Sequence, residues 1–133
     1  MPDTSLAFDH VHLISKAPHA TAAWYVDKLG AEIVKSVDIR GAPQIYVSFG
    51  GFIIIVRGQR TAELAAEKRG LQWGVDHFGL RVTGDFDRFC AALRGKDVAF
   101  SLDPTDFNET TRIAFIEAPD GVSVELVNRK DKP

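Results

Sequence analysis

Two histidines and one glutamate lie at positions where their side chains could bind a divalent metal ion. The segment Asp9–Leu13 reads DHVHL, and a second Asp-His pair ends at His77, which follows His10 by 67 residues. Glu125 is the one charged residue in the apolar run Gly121–Val127. Two imidazoles and a carboxylate form the facial set that binds non-haem iron and related divalent metals. We therefore predict that His10, His77 and Glu125 are metal ligands.

His12 is a candidate for proton transfer. Side chains two residues apart on a strand point to the same face, so we expect His12 to lie beside His10. The pKa of an imidazole lies near neutrality, which suits a general acid or base, and Glu125 is a second candidate for that role. The alternative is that His12 is a hydrogen-bonded structural residue, and the sequence leaves both interpretations open.

Two arginines and a serine are candidates for substrate binding. The same alternation places Arg57 and Arg81 on the strand faces that carry the predicted ligands, and it places Ser123 on the face of Glu125. A guanidinium group binds carboxylate or phosphate through paired hydrogen bonds. The alternative is that both arginines extend from strand ends into solvent.

The predicted elements follow one order in the first part of the chain. A strand leads to a helix that begins at Pro18 and ends at Gly30, and three short strands follow. We expect turns at 41–43 and 50–51. This βαβββ module covers about residues 6–58, with strands at 7–15, 31–39, 44–49 and 52–57.

The same order recurs after a polar linker at 58–74, which contains a possible short helix from Thr61 to Lys68. The second module covers about residues 74–130, with a helix at 85–94 and strands at 75–83, 97–102, 110–117 and 121–129. Gly121 follows Gly51 by 70 residues, close to the spacing of the two Asp-His pairs. An internal duplication is therefore predicted, which gives an α+β chain of two βαβββ modules.

Composition excludes several classes of function. The 133 residues fit one domain, and 16 basic against 18 acidic residues, without a charge run, do not suggest nucleic acid or a membrane surface as a partner. The single Cys90 cannot form an internal disulfide, and the first residues do not read as a secretion signal. We therefore expect a cytoplasmic protein with no membrane span.

Several motifs together resemble those of the vicinal oxygen chelate superfamily, the glyoxalase, bleomycin resistance and extradiol dioxygenase group. The resemblance covers nearly the whole chain and rests on an ordered set of short motifs. These are Asp-His-Val-x-Leu at 9–13, Trp24-Tyr25, Leu29-Gly30, His77-Phe78-Gly79-Leu80 and Ala118–Leu126.

The resemblance implies a fold and a site. Two βαβββ modules would form a curved mixed sheet, a cup around one divalent metal ion held by His10, His77 and Glu125. It also implies a small-molecule substrate with vicinal oxygens and a homodimer. The ion could be iron, manganese, nickel, cobalt or zinc, since such ligands accept all five.

One expected ligand is missing. The spacing of the two glycines places Ile55 where the second module has Glu125, so the fourth protein ligand of glyoxalase I-like members is absent. Three protein ligands leave room for bidentate chelation of a substrate.

Three functions remain as alternatives for a chain with these residues. The first is a metal-dependent lyase or isomerase of glyoxalase type that moves a proton. The second is an iron(II) extradiol dioxygenase, although 106–108 and Phe115 stand where the histidine and tyrosine of those enzymes are expected. The third is a metal-free binding or resistance protein, which has no need of a complete ligand set.

Overall fold

The computed structural model describes residues 4–130, and the chain divides into two compact halves, Met1–Ala65 and Ala66–Pro133. Each half contains four strands and one helix in the order βαβββ, as predicted. In the first half these are β1 (His10–Ile14), α1 (Pro18–Leu29), β2 (Glu32–Ile39), β3 (Ala42–Phe49) and β4 (Phe52–Arg57). In the second they are β5 (Phe78–Arg81), α2 (Phe86–Gly95), β6 (Phe100–Asp106), β7 (Thr111–Glu117) and β8 (Ser123–Arg129), with a short 3-10 turn at Pro119–Gly121.

The first sheet is mixed, with strand order β1-β4-β3-β2. Strand β1 pairs in parallel with β4. Strand β3 lies between β4 and β2 and pairs antiparallel with both. A parallel partner requires a crossover connection, which α1 and the next two strands provide. The first and last strands of the half are therefore neighbours.

Helix α1 covers one face of this sheet. The ring of Tyr25 meets that of Phe49 edge to face at 6.0 Å, and Ile54 and Val56 on the same face are fully buried. Gly30 ends the helix in the left-handed conformation at φ 74°, where a residue without Cβ is favoured. The opposite face of the sheet carries His10 and the residues in line with it.

The second sheet repeats this arrangement as β5-β8-β7-β6, with β5 parallel to β8. Asp85 caps α2 by accepting a hydrogen bond from the backbone N–H of Arg88 at 3.1 Å. Arg112 of β7 pairs with Asp87 of α2, so α2 lies over the face of β7 that carries Arg112. On β8 that face holds Leu126, and Glu125 points to the other side.

The structure corrects four details of the sequence prediction. Residues 61–68 form no helix, because Ala62 adopts a left-handed φ of 70° that interrupts helical geometry. The first turn lies at Arg40-Gly41, and Ala42 and Pro43 belong to β3. Strand β5 begins only at Phe78, and β6 extends to Asp106 at the edge of its sheet, where Pro104 is tolerated.

Neither helix within residues 4–130 has the length and apolar composition of a membrane-spanning segment.

Candidate functional site

His10 and His12 lie side by side on β1, on the face of the first sheet turned away from α1. They pair in register with Ile53 and Ile55 of β4, which alternate with the buried residues of the α1 side. The two imidazole centroids are 6.0 Å apart. The two histidines therefore share a face, as the strand alternation predicts.

The ring of His10 is anchored at one nitrogen. Its Nδ1 lies 2.6 Å from the Oδ2 of Asp9. Because an ionised carboxylate only accepts hydrogen bonds, Nδ1 is the donor. The neutral ring then presents Nε2 as its lone-pair nitrogen, the form in which a histidine binds a metal.

His77 has the same anchor in the second half. It lies one residue before β5, and its Nδ1 donates to Asp76 Oδ2 at 2.8 Å. Its Nε2 lies 3.1 Å from Oε1 of Glu125, and its ring meets Phe115 edge to face at 4.8 Å. The hydrogen bond to Asp76 is the main cause that raises the pKa of His77; partial burial opposes the rise and Glu125 adds to it.

The strand registers confirm the internal alignment deduced from the sequence. In the first half His12 pairs with Ile55, and in the second half Gly79 pairs with Glu125. Ile55 is therefore the counterpart of Glu125, and Gly79 is the counterpart of His12. The first half has a second histidine but no carboxylate at this position, while the second half has the carboxylate but no second histidine.

His12 lies in a positive environment. Its pKa is lowered, first by partial burial and then by the charges of Arg57, His10 and Arg60. All of these groups belong to the first half. The surroundings therefore favour a neutral imidazole at His12.

Arg57 belongs to a network at the end of β4. It forms an ion pair with Glu63, whose pKa is lowered chiefly by this hydrogen bond. Glu63 also accepts from the backbone N–H of Arg60 at 2.9 Å, and Arg60 donates to Gln44 Oε1 at 2.8 Å. Gln44 in turn donates to the hydroxyl of Tyr46 at 2.9 Å. The Nε groups of both arginines are buried and have no acceptor within residues 4–130.

The other two predicted substrate contacts lie in the second half. Arg81 ends β5 on an exposed position, and its guanidinium has no hydrogen-bond or ion-pair partner in the described part of that half. Ser123 begins β8, two residues before Glu125 on the same face, and is half-buried.

The predicted metal ligands come from both halves, His10 from the first and His77 with Glu125 from the second. Within either half, the described residues include no group of three His, Cys, Asp or Glu side chains placed to hold an ion. The donor set nevertheless fits a divalent metal, because each histidine is held at Nδ1 and can offer Nε2. A cation could also replace the proton shared by His77 and Glu125.

Sequence reasoning missed part of this surrounding structure. The motif assigns no role to Asp9 and Asp76, although the repetition of an aspartate directly before each histidine is a signal for the contact that both of them make. Arg60 and Glu63 lie on an irregular segment, where no periodicity indicates which way a side chain points.

Comparison with known proteins yields a family and a set of structural neighbours. A family model described as Glyoxalase/Bleomycin resistance protein/Dioxygenase superfamily matches residues 7–126. A search of the curated proteins finds no match.

Among solved structures, a glyoxalase family protein from Bacillus cereus is 13% identical with a TM-score of 0.80, and the alignment covers 97% of this chain and 98% of that one. The trypanothione-dependent glyoxalase I of Leishmania major is 19% identical with a TM-score of 0.74 over 96% and 89% of the two chains. The fosfomycin resistance protein FosX of Listeria monocytogenes, solved with Mn(II) and sulfate, is 14% identical with a TM-score of 0.70 over 94% and 93%. At such low sequence identities, these similarities show a shared fold only.

Proposed function

Because the chain belongs to the glyoxalase, bleomycin resistance protein and dioxygenase superfamily, we propose that it is a divalent-metal-dependent enzyme of the vicinal oxygen chelate type. In this proposal His10, His77 and Glu125 hold one ion, which is iron, manganese, nickel, cobalt or zinc. The reaction is a proton transfer of lyase or isomerase type on a small substrate with two adjacent oxygens.

The arrangement of His77 and Glu125 is the observation that carries this proposal. The two residues are 48 positions apart in sequence, yet Nε2 and Oε1 lie 3.1 Å apart on the face turned away from α2. Asp76 holds the other ring nitrogen. A nitrogen and an oxygen donor are thus already side by side, in the chemistry that first-row divalent ions accept.

The same proposal gives roles in the reaction to His12, Glu125 and Ser123. When bound, the ion supplies Lewis acidity to the two substrate oxygens. His12 or Glu125 moves the proton, and the low pKa of His12 suits a base that is neutral before reaction. Ser123 donates or accepts one hydrogen bond to the substrate.

We further propose that the substrate carries an anionic group. Arg57, Arg60 and Glu63 carry a net positive charge, and two buried N–H groups of this network have no acceptor among the described residues. Arg81 adds a guanidinium that is unpaired in the described part of its half. The Listeria neighbour, with Mn(II) and sulfate, supports an ion and an oxyanion as ligands of this fold. Arg57 would exchange Glu63 for the substrate.

A dioxygenase alternative is less well supported. Ring cleavage of the extradiol type is expected to use a tyrosine near the seventh strand. Phe115 stands there, 4.8 Å from the His77 ring, and it carries no hydroxyl. Oxygen uptake with a panel of catechols would identify that activity if it is present.

Metal analysis tests the proposal. We expect protein purified without chelator, or reloaded with Mn²⁺, Fe²⁺, Co²⁺, Ni²⁺ or Zn²⁺, to contain one ion per chain, and His77→Ala to lose it. His19→Ala, which removes an exposed histidine of α1, is the matched control and should retain the ion. If wild type binds none of these ions, the metal-free binding protein becomes the correct interpretation.

The proposal includes a homodimer and a cytoplasmic location. Analytical ultracentrifugation at several concentrations tests the dimer, and fractionation of the source cells tests the location.

A further inference from the structure

We infer that Asp9 and Asp76 are positioning residues, which hold the two histidines in the orientation and tautomer that a metal ion requires. This inference rests on the proposed function, since it gives the repeated carboxylates a purpose only if His10 and His77 are ligands. It assigns a role to two residues outside the predicted ligand set.

The same contact is formed twice, once in each half of the chain. Asp9 Oδ2 lies 2.6 Å from Nδ1 of His10, and Asp76 Oδ2 lies 2.8 Å from Nδ1 of His77. In both cases the carboxylate belongs to the residue directly before the histidine. A contact between sequence neighbours forms by chance on many surfaces, but its repetition at the same nitrogen of equivalent residues indicates a shared purpose.

The contacts contribute little to folding stability. The side chain of Asp9 is 91% exposed and that of Asp76 is 64% exposed, and solvent screening leaves exposed ion pairs with little effect on stability. Among residues 4–130, each of these carboxylates has its histidine as its hydrogen-bond partner. We therefore infer that the two carboxylates act on the orientation and the tautomer of the histidine rings.

A carboxylate at Nδ1 has three effects on a histidine ligand. It fixes the proton on Nδ1, which leaves the lone pair on Nε2, and it increases the basicity of that lone pair. It also restricts rotation of the ring. For His77 the restriction of ring rotation becomes decisive if an ion binds, because Nε2 would then exchange its hydrogen bond with Glu125 for the metal. Asp76 would be the remaining hydrogen-bond partner of the ring among the described residues.

The test uses Co²⁺ as the probe on the full chain, with Asp9→Asn and Asp76→Asn as the variants. Asparagine keeps the size of the side chain but can present an N–H to Nδ1, which favours the wrong tautomer. Asp38→Asn in the first half and Asp97→Asn in the second are the controls, since each removes one negative charge without a contact to either histidine.

We expect each of the two variants to bind Co²⁺ about 10- to 100-fold more weakly in competition with a chelator, the usual effect of losing such a partner. The metal-free variants should melt at the temperature of wild type, and the visible bands of bound Co²⁺ should keep the pattern of an unchanged ligand set. Long-range ¹H–¹⁵N spectra of the metal-free protein at mildly alkaline pH should show the ring proton moving from Nδ1 toward Nε2.

Two results overturn the inference alone. One is wild-type affinity for Co²⁺ in both Asp variants, and the other is an equal loss in Asp38→Asn and Asp97→Asn, which would indicate a general charge effect. A wild-type protein that binds no Co²⁺ overturns the inference and the metal-dependent function together, so the two failures are distinguishable.

Discussion

Replacement of Ile55 by glutamate should give the first half of the chain a carboxylate donor, at the position that Glu125 occupies in the second half. Ile55 pairs with His12 as Glu125 pairs with Gly79, and Glu125 reaches the histidine at the start of its half within 3.1 Å. By the same geometry, the carboxylate of Ile55→Glu should reach Nε2 of His10. A metal ion bound there would gain an oxygen ligand.

The substitution has a cost that can be worked from burial. Ile55 is 6% exposed, so its side chain contributes about 1.5 to 3 kcal/mol, and an incompletely paired carboxylate in its place costs about 1 to 3 kcal/mol more. We expect the metal-free variant to melt roughly 10 to 20 °C below wild type. A free ion at 100 times its dissociation constant should restore about 2.7 kcal/mol.

The assay is a set of thermal melts in chelator and in increasing Mn²⁺ or Co²⁺, together with chelator competition for the dissociation constant. Ile54→Glu is the control, because Ile54 is fully buried on the α1 side. It should be destabilised without tighter metal binding. If Ile55→Glu gains no affinity over wild type and no larger metal-induced rise in melting temperature, the alignment of the two halves does not describe the site.

Further predictions concern three single residues. His12→Gln should keep the metal content, because His12 lies two residues from His10, while turnover falls about 10²- to 10⁴-fold; unchanged turnover would leave His12 a structural residue. Burial raises the pKa of Cys90 to about 11, so the native thiol should not react with Ellman's reagent near neutral pH. Between about pH 8.5 and about pH 11 the unfolded chain releases this proton and the native chain keeps it, so the free energy of unfolding should fall as pH rises through that window, with a smaller slope in Cys90→Ala denaturant titrations. Gly30→Ala should lower stability by about 1 kcal/mol, because the left-handed φ of 74° disfavours a Cβ even though nothing obstructs it; an unchanged denaturation midpoint would contradict this.

The βαβββ order was predictable because its signals are local. Pro18 and Gly30 mark the ends of α1, and paired glycines mark the turn before β4. The family model confirms the superfamily that the motifs indicated, and the structural neighbours share its fold. The strand pairing confirms that Ile55 aligns with Glu125, since a spacing of 70 residues survives in the register of both sheets.

The absence of the expected helix at 61–68 has a physical cause. Ala62 is a good helix former, but its left-handed φ shows that the contacts of its segment outweigh intrinsic propensity. One such contact is the ion pair of Glu63 with Arg57, which joins an irregular segment to a strand end. No periodicity in the sequence indicates an ion pair of this kind. The roles assigned to the metal and substrate residues stay predictions until the ion and substrate are measured.

The parallel pairing of the first and last strands has a consequence for the order of folding events. His77 and Glu125 are 48 residues apart, so we expect them to meet late in the folding of the second module, because closing so long a loop has a large entropic cost. An ion that needs both donors cannot recruit them from the unfolded chain at an early stage. If the proposed ion binds the folded module, we expect it to slow unfolding and to leave the refolding rate nearly independent of metal concentration. The protein would then fold before it binds the ion, and the ion would stabilise a structure that has already formed.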